Sequence, residues 1–94
     1  MKIIVAQAAA ADLARLYDFL ADKSPAAANR AGAALIAAIQ SLDTFPERGR
    51  PSGPNIRELI VPFGQSGYVL RYAFRERDDE VVVLRIWHGR EERE

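Results

Sequence analysis

Residues 80–91 read EVVVLRIWHGRE and bring Arg85, Trp87, His88 and Arg90 close together near the end of the chain. His88 is the only histidine and Trp87 the only tryptophan. Imidazole gives or takes a proton near neutral pH, and guanidinium groups hold carboxylates or phosphates. With Arg57 and Arg71 upstream, these residue types suit two kinds of work. One is nucleolytic cleavage, which needs a positioned base and acid and a cation beside the phosphate; His88 and the arginines are residues of those types. The other is docking of an anionic partner on a face built from Arg57, Arg71, Arg85 and Trp87. The plain alternative for Arg85 is a solvated arginine whose stem lies over Trp87 and Val83. For His88 it is a surface or hydrogen-bonding residue at a strand end.

Other chemistries find no support. The absence of cysteine removes thiolate catalysis and disulfides, and a single histidine leaves no ordinary zinc site. Ser24, Ser41, Ser52 and Ser66 have no histidine at a motif spacing, so a nucleophilic serine is not indicated. Residues 64–67, GQSG, lack the lysine and following helix of a phosphate loop and read as a turn. No metal or cofactor is expected.

The elements that position these groups come from a chain of 94 residues, the length of one small domain spanning 1–94. A hydrophobic fraction of 49% is that of an ordinary globular protein, and no apolar run approaches membrane-spanning length. A cytoplasmic location with no membrane partner is expected. Net charge is zero, which argues against holding nucleic acid by bulk electrostatics. Charge is nonetheless uneven: residues 44–77 carry six arginines against three glutamates, and residues 78–94 three arginines against six acids. Eleven of the thirteen basic residues are arginine, as suits a contact surface, although codon usage would also produce the bias.

Ile3-Ile4-Val5 reads as an opening strand. Leu13, Leu16, Tyr17 and Leu20 then mark the buried stripe of a helix over residues 8–23, leaving Asp12, Asp18 and Asp22 off it. Ser24-Pro25 is an N-cap followed by proline at the first helical position. The second helix runs to about Asp43, with a stripe of Ala28, Ala31, Leu35, Ala38, Ile39 and Leu42. A turn of two or three residues makes the pair an antiparallel hairpin. Phe45-Pro46 ends it, and residues 47–55, ERGRPSGPN, read as a basic loop.

Three strands are expected after that loop: residues 57–61, 68–75 and 80–87. Tyr68, Leu70, Tyr72 and Phe74 alternate with Val69, Arg71, Ala73 and Arg75, while Val82, Leu84 and Ile86 oppose Val81, Val83, Arg85 and Trp87. The order β-α-α-β-β-β gives an α+β domain, a helical hairpin packed on one face of a mainly antiparallel sheet. Facing Leu70, Tyr72 and Phe74 with Ile86, Leu84 and Val82 demands an odd-numbered loop. That register sets Arg71 opposite Arg85 and Val69 opposite Trp87. Two like charges across a strand pair call for a carboxylate, expected from a partner or from Glu58. Glu91-Glu92 reads as a solvated tail.

Residues 57–91, RELIVPFGQSGYVLRYAFRERDDEVVVLRIWHGRE, together with the upstream LDTFPERGRP, resemble the ParE/RelE superfamily of bacterial toxins. The likeness lies in the order and spacing of an R-E-L strand, an S-G-Y-x-L-x-Y strand, an acidic turn, a V-V-V-L-x-I strand and a terminal H-G-R, and it extends from Ile3 to Glu91. The resemblance implies the toxin of a type II toxin–antitoxin module, of the kind found in plasmid stabilisation systems. The antitoxin encoded beside such a toxin holds it inactive, in a hetero-oligomer. ParE-like members act against DNA gyrase and need no catalytic residue; RelE-like members cut mRNA on the ribosome. Val69 stands where the RelE-like branch has arginine, and no tyrosine follows the last strand. The ParE-like reading is therefore preferred, with a ParD-like antitoxin and gyrase as partners. The alternatives are a RelE-like endoribonuclease using His88 with Arg57 or Arg90, and a non-toxic relative that only binds antitoxins.

Overall fold

A computed structural model describes residues 1–91. Strand β1 (Lys2–Val5) leads into helices α1 (Gln7–Ala21) and α2 (Pro25–Ser41), followed by β2 (Arg50–Gly53), β3 (Ile56–Phe63), β4 (Ser66–Arg75) and β5 (Glu80–His88). The five strands form one sheet in the order β1-β5-β4-β3-β2. β1 runs parallel to β5 and the other neighbours are antiparallel. The expected α+β architecture holds, with one more strand than the sequence suggested.

That strand is β2, which lies in the segment read as a loop. It carries no apolar alternation because all four residues, Arg-Pro-Ser-Gly, are exposed. As an edge strand with an irregularity between Pro51 and Gly53, it tolerates the proline that a central strand would not. β2 pairs only with residues 56–58 of β3, so the outer edge of β3 beyond Glu58 is open at Pro62. The β3–β4 hairpin closes at Phe63↔Ser66 through Gly64-Gln65, with Gly64 at φ +62. Positive φ at the first of two turn positions is where glycine is favoured.

The helical hairpin follows the expected signals. The Ser24 hydroxyl accepts a hydrogen bond from Ala27 N–H at 3.2 Å, and Pro25 opens α2. Ala28, Ala31, Leu35, Ala38, Ile39 and Leu42 are all buried, the last five in one cluster with Leu59, Leu70, Tyr72, Val83 and Ile86 among others. On α1, Leu16 is buried and Leu13 and Leu20 are partly so. Tyr17 is not a core residue: it is largely exposed and its hydroxyl donates to Asn29 Oδ1 at 3.0 Å.

The face of β5 departs from simple alternation. Arg75 pairs with Glu80 across a loop of even length, residues 76–79, instead of an odd one. Phe74 therefore faces Val81 and Tyr72 faces Val83, and both valines are fully buried. Between Tyr72↔Val83 and Arg71↔Arg85 the strand carries one extra residue, Leu84. This β-bulge shifts the side-chain phase by one, so Ile86 re-enters the core opposite Leu70. The expected partners Val82 and Leu84 are only partly buried. The pairs Leu70↔Ile86, Val69↔Trp87 and Arg71↔Arg85 stand as expected. Among the described residues, no helix is long and apolar enough to cross a membrane.

Candidate functional site

Arg71 and Arg85 oppose each other directly, and each is drawn to its own carboxylate. Arg71 donates from Nε and Nη2 to Glu58 Oε2 at 3.0 and 2.8 Å, across the β3–β4 pair in which Glu58 is its direct neighbour. Its guanidinium also lies 4.8 Å from the centre of the Trp87 ring, and Trp87 is only 6% exposed. Arg85 donates from Nε and Nη2 to Asp12 at 2.8 and 3.1 Å. The expectation that Glu58 or a partner would neutralise Arg85 is corrected: Asp12 of α1 does so, and Glu58 serves Arg71.

Asp12 is more than an ion-pair partner. Pairing with β1 covers β5 only as far as Val83, and among the described residues the edge beyond it has no strand neighbour. There Asp12 Oδ2 accepts the Ile86 N–H at 2.8 Å, standing in for a missing strand carbonyl. At 4% exposure the carboxylate is costly to bury, which by itself would raise its pKa. Hydrogen bonds from Arg85 and Ile86 N–H, with the charges of Arg85 and Arg15, more than offset that and hold Asp12 below the usual carboxylate range. The same contact raises the Arg85 pKa.

Arg57 is tied to the loop after α2. Its Nη1 donates to the carbonyls of Glu47 and Gly49 at 3.0 and 2.7 Å. Beside it Tyr72 donates to the Pro46 carbonyl at 2.7 Å and accepts from Gly49 N–H at 2.9 Å. A Cβ on Gly49 would come within 2.8 Å of the Tyr72 ring, so glycine is needed for this approach. The registers Arg57↔Tyr72 and Tyr68↔His88 put Arg57 and His88 four residues apart along β4, about 13 Å. They do not share a site.

His88 and Arg90 do come together, at the edge of an apolar groove of about 680 Å³. Leu16, Phe19 and Leu20 of α1 form one wall, Phe63 and Tyr68 the other, with Arg15, Arg90 and Glu91 also lining it. The ring of Tyr68 meets that of His88 edge-on at 5.5 Å. His88 Nδ1 accepts Arg90 N–H at 3.1 Å, so in the neutral ring Nε2 carries the proton and donates to Ser66 Oγ at 2.7 Å. An imidazole with that tautomer cannot take a proton from Ser66. Burial, with the Glu91 charge nearby, raises the Tyr68 pKa, so the phenol is no ready base either.

Glu91 was expected in a solvated tail, but its carboxylate accepts from His88 N–H at 2.8 Å and from Arg15 at 3.1 and 3.2 Å. Glu92 lies outside the described residues. Asp12 was legible in principle: counting back by fours from Leu20 and Leu16 reaches it. Nothing in the sequence announced Glu91, whose role depends on which way the last turn folds.

Known proteins share both the sequence pattern and the fold. The model for "ParE toxin of type II toxin-antitoxin system, parDE" matches residues 3–93. "Toxin RelE1" of Caulobacter vibrioides is 47% identical over 91 residues, covering 97% of this chain and 96% of that protein. "Toxin RelE3" of the same organism is 40% identical over 82 residues, 87% of each chain. Among solved structures, "Chromosomal ParDE TA system from P. aeruginosa" superposes with a TM-score of 0.75 at 25% identity, over 94% of this chain and 95% of that one. The chain belongs to the ParE toxin family of type II toxin–antitoxin systems.

Proposed function

We propose that this toxin is ParE-like in action: a cytoplasmic protein that binds DNA gyrase, traps its cleaved DNA complex, and is held inactive by a ParD-like antitoxin. The observation that carries the reading is the engagement of the strand arginines. Arg57 holds a loop, Arg71 holds Glu58 and Arg85 holds Asp12. A ribonuclease would need such cations aimed at a phosphate beside a base, and His88 stands about 13 Å along the sheet from the level of Arg57. Arg71, Arg85, Arg57 and Trp87 act in this reading by shaping the sheet that partners meet.

The alternative, a ribosome-dependent mRNA endoribonuclease, is favoured by the RelE names of the Caulobacter relatives and by His88 and Arg90 lining one groove. Inducing the chain alone in bacteria separates the two. DNA-damage signalling with linear DNA, retained by His88→Ala, fits gyrase poisoning. Rapid mRNA loss that disappears in a folded His88→Ala variant fits the nuclease and overturns the proposal; unimpaired growth indicates a non-toxic relative.

A further inference from the structure

The turn that follows β5 closes around the His88 ring. Nδ1 accepts the Arg90 N–H at 3.1 Å, which needs the lone pair of a neutral imidazole. Two further contacts complete the turn: Glu91 N–H donates to the His88 carbonyl at 2.9 Å, and the Glu91 carboxylate accepts the His88 N–H at 2.8 Å. The same carboxylate holds Arg15 of α1 at 3.1 and 3.2 Å, so the turn also ties the end of β5 to the first helix. Gly89 N–H is fixed to the Gly67 carbonyl of β4 at 2.8 Å. Movement of the turn therefore begins after that amide, at the Gly89–Arg90 peptide.

A second proton on His88 converts Nδ1 from acceptor to donor, and two N–H groups then point at each other. Flipping the ring gives no relief, because both nitrogens of an imidazolium are donors. Ser66 Oγ on β4, 2.7 Å from Nε2, accepts in either state and does not choose between them. Around the ring stand the uncharged Tyr68 of β4, Arg15 of α1, and Arg90 and Glu91 of the turn itself. The two arginines oppose an added positive charge and Glu91 attracts it. Arg90 is exposed, so its N–H turns to water at little cost. That rotation carries away the peptide that aims Glu91 N–H at the His88 carbonyl.

We propose that His88 is a proton-operated catch: its neutral ring holds residues 88–91 closed, and protonation opens the turn at Gly89–Arg90, releasing Glu91 from His88 N–H and from Arg15. Glycine suits the hinge. It allows the close approach to the Gly67 carbonyl, where a Cβ would stand at 3.2 Å, and it tolerates a change in its own dihedrals. The window is the one in which imidazole takes its second proton, about pH 5–8. The turn is closed at the upper end of that window and is lost as pH falls through it, and the end of β5 then loses its tie to α1. The catch operates whichever target the toxin has.

The test is a nitrogen NMR titration of the full chain from about pH 8 to about pH 5, reading the imidazole nitrogens and the backbone amides together. At the upper end Nε2 carries the proton and Nδ1 does not. As the ring takes its second proton, the Arg90 and Glu91 amides leave their turn positions with the same midpoint, and the Arg15 guanidinium resonance moves with them. Hydrogen exchange at Glu91 N–H, corrected for its intrinsic pH dependence, quickens by about tenfold, the worth of one hydrogen bond. Gly89 N–H, held by Gly67, keeps its protection. His88→Asn puts an amide oxygen near the place of Nδ1 and takes up no proton, so its turn stays closed across the range. A ring that stays neutral down to about pH 5, amides that stay in place while the ring titrates, or an equal response in His88→Asn overturns the catch. Should His88→Asn fail to fold, the wild type decides alone, and separate midpoints for ring and amides overturn it.

Discussion

Replacing Asp12 with alanine removes one carboxylate and strips three donors at once: Arg85 Nε, Arg85 Nη2 and Ile86 N–H. The last matters most, because Ile86 is fully buried and no strand neighbour among the described residues replaces the lost acceptor. An orphaned buried N–H costs about 1–3 kcal/mol. Arg85 retains access to water, so its lost pairing adds to that cost less than a fully buried pair would. A domain of this length has about 5–14 kcal/mol in all, so Asp12→Ala consumes a large share. Asp12→Asn keeps an oxygen for Ile86 N–H and costs less. Urea unfolding followed by far-ultraviolet circular dichroism reads both. The pH profile gives a second arm. The folded carboxyl lies below its unfolded value of 3.8, so its stabilisation is complete above that value and is lost as pH falls through the lowered one. Wild type therefore loses stability on acidification more steeply than Asp12→Asn. An Asp12→Ala variant within about 0.5 kcal/mol of wild type, the scatter of ordinary surface substitutions, would refute the edge-capping role.

The bulge in β5 predicts unequal costs for two neighbouring residues. Ile86→Ala, in the core, loses about 2–5 kcal/mol, and Leu84→Ala, partly buried on the extra residue, about 1–2 kcal/mol. Equal losses in parallel urea titrations would contradict the phase shift. Tyr72→Phe orphans Gly49 N–H and the Pro46 carbonyl and costs about 1–3 kcal/mol. Faster amide exchange at Gly49 locates the effect, and unchanged exchange there would refute it.

The helices were legible because their signals are local. Ser24-Pro25 starts α2 by a mechanism that needs no tertiary contact, and the stripe from Ala28 to Leu42 has a single period. β2 was not legible, since an exposed Arg-Pro-Ser-Gly strand is defined only by the neighbour it pairs with. The face of β5 failed for a related reason. EVVVLRI alternates equally well in either phase, and a bulge at Leu84 leaves no mark in a run of apolar residues. At the site, the demand for a carboxylate followed correctly from Arg71 opposing Arg85. The identity of that carboxylate did not, because it depends on where β1 ends and how α1 crosses the exposed edge.

The most direct test of the proposed action is a purified reconstitution. DNA gyrase, supercoiled plasmid and ATP are incubated with the free toxin, and cleaved DNA is measured after protein denaturation. In parallel, the toxin is added to translating ribosomes and the mRNA is mapped for cuts. The account predicts accumulation of linear plasmid in the first reaction, suppressed by the antitoxin and retained by His88→Ala, and intact mRNA in the second. Ribosome-dependent mRNA cuts abolished by His88→Ala, with gyrase unaffected, would contradict it.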